Sequence, residues 1–92
     1  MIFRVIVQSR ARRDLIRLGD FLVNDNPRAA LAAVDAIEAA LRSLVTFPER
    51  GAEHGYGRRL VIPFGQSGYL ADYRIVGVEV HIERVLHMRE DR

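Results

Sequence analysis

The sequence predicts an α+β domain: an antiparallel-dominated, four-stranded sheet with an N-terminal helical hairpin packed on one face, in the order β-α-α-β-β-β. Apolar residues alternate over residues 2–8, recur at helical spacing from Ala11 to Leu44, and alternate again from Arg58 to Leu86. Breakers fall between these stretches, at Asn24-Asp25-Asn26-Pro27, at Pro48 and Gly51, across residues 63–68 and at Gly77. A length of 92 residues supports one core, so residues 1–92 form a single domain.

Residues 2–8 read as a strand. Phe3, Val5 and Val7 share one face while Ile2 and Ile6 mark the other, and apolar groups on both sides suit an interior position. Ser9 is placed to cap a helix whose apolar residues Ala11, Leu15, Leu18 and Leu22 lie four, three and four apart, with Arg12, Arg13, Asp14, Arg17 and Asp20 between them. Asn26 is the expected N-cap of a second helix, with Pro27 at the first position, where its missing N–H costs nothing. That helix carries Val34, Ile37, Leu41 and Leu44 as its apolar stripe, and its alanines favour helix and permit close approach. The short connection makes the two helices an antiparallel hairpin. Pro48 and Gly51 stop the second helix, and the glycine-rich residues 51–57 read as the irregular segment.

Three strands follow, through Leu60-Val61-Ile62, residues 69–76 and residues 78–86. Val78, Val80 and Ile82 share a face. Strict alternation puts Arg84 on that same buried side and turns His81, Val85 and His87 away. Either a bulge re-aims the end of the strand or Arg84 is a partly buried, paired cation.

Composition narrows the chemistry. There is no cysteine, so disulfides, zinc clusters and thiol nucleophiles are excluded. The N-terminus lacks a signal pattern and no apolar run approaches the ~20 residues of a membrane span, which reads as a cytoplasmic protein with no membrane partner. All fourteen basic residues are arginine, a bias that a GC-rich coding sequence explains at most positions. Without lysine, no amine serves as a base or Schiff-base nucleophile. His54, His81 and His87 have no metal-ligand spacing, and no phosphate loop or nucleophile elbow occurs, so no metal and no cofactor is expected. Tyr69 and Tyr73 share a face with Ile75, for which packing is sufficient explanation.

The remaining candidates are Arg58, Arg59, Arg74, Arg84, His87 and Arg89, spread over the C-terminal strands and the basic tail that ends residues 82–92. Strands about 4.8 Å apart can gather several of them into a cationic concavity for RNA phosphates or an acidic peptide. The alternative is a scattered set of solvated arginines.

Six motifs in order carry a resemblance: Val7-x-Ser9-x-Ala11-x-x-Asp14-Leu15, Asn26-Pro27-x-Ala29-Ala30, Pro48-x-x-Gly51, Arg59 opening a strand, Tyr69-x-x-x-Tyr73, and Arg84-Val85-Leu86-His87-x-Arg89. Together they resemble the ParE branch of the RelE/ParE superfamily of small bacterial toxins over nearly the whole chain. The resemblance implies the toxin of a type II toxin-antitoxin pair of the plasmid-stabilising, addiction kind. It also implies a ParD-like antitoxin whose acidic, apolar C-terminal segment wraps the toxin and whose N-terminal domain binds operator DNA. Leu15, Leu18, Leu22, Val34, Ile37 and Leu41 are the candidate groove for that segment, although most must also serve the toxin's own core.

The branches differ in target. ParE-like toxins poison DNA gyrase by a protein contact and need no catalytic residues. The ribosome-dependent, mRNA-cleaving relatives use sheet lysines and arginines, one arginine just after a Ser-Gly-Tyr strand opening, and commonly a C-terminal tyrosine. Here Leu70 follows Ser67-Gly68-Tyr69, there is no lysine, and no tyrosine follows Tyr73. Leucine can neither stabilise a pentacovalent phosphate nor protonate a leaving oxygen. Gyrase inhibition is therefore the favoured expectation, with no enzymatic activity. The alternatives are an mRNA endoribonuclease acting at the ribosome, with Arg59, His87 and Arg89 as its catalytic set, and a non-toxic member that only binds its antitoxin.

Overall fold

A computed structural model describes residues 1–90, so Asp91 and Arg92 of the basic tail lie outside the described residues. The elements are β1 (Arg4–Val7), α1 (Ser9–Asp25), α2 (Pro27–Ser43), β2 (Ala52–His54), β3 (Gly57–Phe64), β4 (Ser67–Val76), β5 (Glu79–His87) and a single 3-10 turn, Met88–Glu90. The sheet has five strands in the order β1-β5-β4-β3-β2, antiparallel except where β1 runs parallel to β5. The α+β class and the helical hairpin stand as expected. The strand count and the place of β1 do not.

The additional strand is β2, in the segment expected to be irregular. Its three residues are all exposed, so no apolar alternation marks them, and only pairing with β3 across a turn at Gly55 (φ 58°) makes them a strand. β1 lies at an edge rather than in the interior. Tight turns led by Gly65 and Gly77, both at positive φ, force β3, β4 and β5 to be neighbours. With β2 on the β3 side, only the β5 edge remains for β1.

The helix junction follows the local chemistry. Gln8, not Ser9, is the N-cap of α1, and its side chain makes no capping bond. Its backbone instead continues the strand, since the Gln8 N–H donates to the Ile82 carbonyl at 2.9 Å while its own carbonyl starts the helix. Between the helices Asn26 alone connects, and its Oδ1 accepts from the Arg28 and Ala29 N–H groups at 3.1 and 3.2 Å. An Asn26→Ala substitution is expected to cost about 1 kcal/mol. It should appear as a lower midpoint in a urea melt with an unchanged slope.

Ala11 and Leu18 of α1 and Ala30, Ala33, Ile37 and Leu41 of α2 are buried, while Leu15 and Leu22 are half-buried. The stripe of α2 is thus turned slightly from the expected one: Val34 is exposed, because the small Ala30 and Ala33 bring that face of the helix onto the core. Opposite the hairpin, Leu60, Ile62, Tyr69, Ala71, Tyr73, Val80, Ile82 and Val85 complete the cluster.

Val85 belongs there because of a bulge. Asp72 pairs with Arg84 and Tyr73 pairs with Ile82, so Glu83 is an extra residue on β5. One inserted residue inverts the alternation. Val85, expected to face away, is fully buried, and both alternatives for Arg84 hold at once: the strand is bulged and the arginine is paired with Asp14.

Candidate functional site

The six candidate residues do not converge on one surface. Arg59 and Arg74 lie on the open face of the sheet, which among the described residues carries no helix. Arg59 meets Asp72, directly opposite it in β4, through Nε–Oδ1 at 2.6 Å and Nη2–Oδ2 at 2.9 Å. Arg74 reaches Glu83 of β5 at 2.9 Å. Arg58 points to the helix-bearing side, where its guanidinium donates to the carbonyls of Gly51 and Glu49 at 2.7 and 3.3 Å and holds the loop after α2. It serves the loop that Tyr73 also ties, through its hydroxyl donating to Pro48 O at 2.7 Å and accepting from Gly51 N–H at 2.8 Å.

Arg84 is engaged from the helix layer. Asp14 of α1, one of the buried residues of that helix, accepts from Arg84 Nε at 2.8 Å, from Arg84 Nη2 at 3.2 Å, from the Val85 N–H at 2.9 Å and from Arg17 Nη2 at 3.3 Å. Burial alone pushes the Asp14 carboxyl up. The Arg84 hydrogen bonds, the Val85 N–H, the charge of Arg84 and the Arg17 bond outweigh it and hold the group below its ordinary value. The spacing reading placed Asp14 among polar residues between apolar ones. Its signal was available: Asp14 adjoins Leu15 on the core stripe, and an arginine expected on the buried side of a strand requires an anion facing it.

His87 and Arg89 stand together at the end of the sheet. The His87 ring lies edge-on to Tyr69, centroids 5.3 Å apart, on the helix-bearing side. Its Nδ1 accepts the Arg89 N–H at 3.1 Å, which leaves the ring proton on Nε2. Beside them, between α1 and the 3-10 turn, is a cavity of about 490 Å³ lined by Leu18, Phe21, Leu22, Tyr69, His87 and Arg89, and by Arg17 and Glu90 as well. Two of the six expected groove residues, Leu18 and Leu22, therefore line an opening. Ile37 and Leu41 are internal, Leu15 is half-buried, and Val34 faces solvent. Phe21, 73% exposed, was missed because it falls off the leucine stripe, although a large exposed aromatic on an amphipathic helix is itself a sign of contact.

Of the proposed endonuclease set, Arg59 and His87 lie on opposite faces of the sheet. Among the described residues, no three acidic, histidine or cysteine side chains cluster as metal ligands would, and no helix is long and apolar enough to cross a membrane.

The family profile described as the ParE toxin of type II toxin-antitoxin systems, parDE, matches residues 5–92. The chain belongs to that toxin family. The toxin is 46% identical to Toxin RelE1 of Caulobacter vibrioides, with both chains covered in full. It is 37% identical to Toxin RelE3 of the same organism over 90% of this chain and 91% of the relative. Among solved structures, the chromosomal ParDE system of P. aeruginosa aligns with a TM-score of 0.78 at 24% identity, covering 94% of this chain and 96% of that one, which speaks for the fold. The RelBE2 toxin-antitoxin complex of Mycobacterium tuberculosis aligns at 0.59 and 27% identity, covering 95% and 99%. Superfamily and fold class are as the motifs implied, and relatives bearing both ParE and RelE names surround the toxin.

Proposed function

We propose that the toxin acts on DNA gyrase by protein contact, without catalysis, and is held neutral by an antitoxin whose acidic, apolar C-terminal segment docks on it. The observation that carries this reading is the neutralised sheet. Arg59, Arg74 and Arg84 are each committed to a carboxylate of the same chain, and Arg58 to backbone carbonyls. A phosphate entering that face would first have to displace Asp72 or Glu83 from its partner, whereas a cleavage site needs cations preorganised toward the developing charge. The position held by Leu70 and the absence of lysine point the same way. The relatives from solved toxin-antitoxin systems support an antitoxin as partner, and the cavity lined by Leu18 and Leu22, with arginines at its rim, has the chemistry to accept an apolar residue flanked by carboxylates.

One observation favours the second reading, ribosome-dependent RNA cleavage. His87, whose Nδ1 accepts the Arg89 backbone N–H, lines the same cavity as Arg89, and an imidazole and a guanidinium on one cavity are the group types that protonate a leaving oxygen and stabilise a phosphate. The two readings separate in a direct assay. Purified toxin is expected to block supercoiling, or to trap cleaved DNA on gyrase, while leaving ribosome-bound message intact. Codon-specific cuts in the message that vanish in the His87→Ala protein would overturn the gyrase reading in favour of RNA cleavage.

A further inference from the structure

β1 stops at Val7, opposite Ile82, so beyond Ile82 the strand β5 has β4 on one edge and, among the described residues, no strand on the other. Register in such a strand end is weakly determined by the ladder alone, because a slip of one residue exchanges its two faces. Regular alternation would bury Arg84, expose Val85 and turn His87 to the open face. The bulge at Glu83 does the opposite. Helix α1 flanks this unpaired stretch and touches it at two places. Near its start, Asp14 takes the Arg84 guanidinium and the Val85 N–H, at 2.8 and 2.9 Å. At its end, Arg17 donates to Glu90, whose other oxygen accepts the His87 N–H at 2.9 Å. The two contacts are joined, because Arg17 also donates to Asp14, at 3.3 Å.

We propose that Asp14 and Arg17 are positioning residues: together they clamp both ends of residues 84–90 to α1, fix the bulge, and so hold His87 and Arg89 at the mouth of the cavity rather than on the open face. Asp14 selects the register and Arg17 closes the arm. The division follows from partners. Asp14 is the buried acceptor at the bulge itself, while the Arg17 side chain is 45% exposed and spans from Asp14 to the 3-10 turn. Asp14 need not touch a target, whereas Arg17 also lines the cavity, so its part in the clamp is read from the His87 shift and not from growth alone. The functional consequence rests on the reading above, in which the arm belongs to the surface that meets target or antitoxin.

The test uses the full chain in two variants, Asp14→Asn and Arg17→Gln, followed by NMR and by growth after induced expression. In Asp14→Asn the Val85 amide should lose at least tenfold in protection against hydrogen exchange, while Val80 and Ile82 keep theirs, and the ring-current shift that Tyr69 imposes on His87 should collapse. Arg17→Gln is the safeguard against misfolding, since its side chain is about half-exposed and outside the buried core. It should keep Val85 protected and loosen only the His87 ring and the turn after it. Protection falling equally at Val80, Ile82 and Val85, or a His87 shift unchanged in both variants, would overturn the clamp and leave Asp14 a stabilising ion pair. Both variants should also weaken growth arrest at normal protein levels. Full arrest by proteins in which His87 is shown to be displaced would uphold the clamp and instead overturn the assignment of the arm to the functional surface.

Discussion

Replacing Asp14 by alanine is expected to cost about 3 kcal/mol and to lower the melting temperature by roughly 15 °C, because hydrogen bonds to charged groups and an orphaned buried donor each contribute on this scale. The carboxylate is 7% exposed, and its removal strands the Val85 N–H inside the core and takes from Arg84 the anion that both its Nε and its Nη2 bond. Arg84→Ala should cost a similar amount for the converse reason, since it leaves a buried anion with Arg17 as its cation. The same site predicts acid sensitivity. Asp14 is held below its ordinary value of 3.8 by the net effect of its partners, so the unfolded chain takes up this proton before the folded one as pH falls. Its contribution is therefore complete above the unfolded value and is lost as pH falls through the lower, folded value. Stability measured by denaturant from neutral pH down should show a drop below about pH 4 in the native protein that is smaller in Asp14→Ala. Parallel curves for the two proteins would refute this role for Asp14.

Legibility in the sequence followed the range of the interaction that decides each element. The hairpin was readable because its cause is local: Asn26 caps, Pro27 starts, and Ile37, Leu41 and Leu44 repeat at helical spacing. β2 was not, because three exposed residues become a strand only through distant pairing with β3. The edge position of β1 is likewise non-local, and its two apolar faces misled. At the C-terminal end alternation exposed a conflict at Arg84 without resolving it. Resolution needed Asp14, seventy residues away, in a helix position that a reading of apolar spacing assigns to solvent.

The arginines show the same limit at the candidate site. Which residues are cationic was plain, but whether they form an electropositive surface depends on the carboxylates opposite them. Asp72 faces Arg59 through the β3–β4 register, and the bulge helps bring Glu83 to Arg74. A net charge of +2 spread over such pairs leaves little concentrated field on the open face. Long-range attraction for nucleic acid is correspondingly weak there, and under the proposed function specificity falls to apolar contacts around Phe21 and Leu22 and to the cations near His87.

Tyr73 separates stability from function. Its ring is 1% exposed at the centre of β4, so Tyr73→Ala should cost about 3–5 kcal/mol, a large share of the 5–15 kcal/mol that a domain of this kind possesses. Most of that protein is expected to be unfolded or degraded in the cell, and lost toxicity would say nothing about a site. Tyr73→Phe keeps the ring and removes only the hydroxyl. The Gly51 N–H then loses its acceptor and the Pro48 carbonyl its donor, an expected cost of about 1–2 kcal/mol. Arg58 still holds the Gly51 carbonyl at 2.7 Å, so the loop should loosen rather than detach. Hydrogen exchange at Gly51 should accelerate while Val80 and Val85 retain their order of protection. An unchanged Gly51 rate together with unchanged stability would show that water replaces the hydroxyl without loss. Because the hydroxyl bonds Pro48 and Gly51 while the retained ring keeps its place beside the bulge, Tyr73→Phe should arrest growth as the native toxin does. Arg17→Gln at comparable stability should not, and that contrast, taken with a displaced His87 resonance, assigns the loss to the geometry around His87 rather than to the fold.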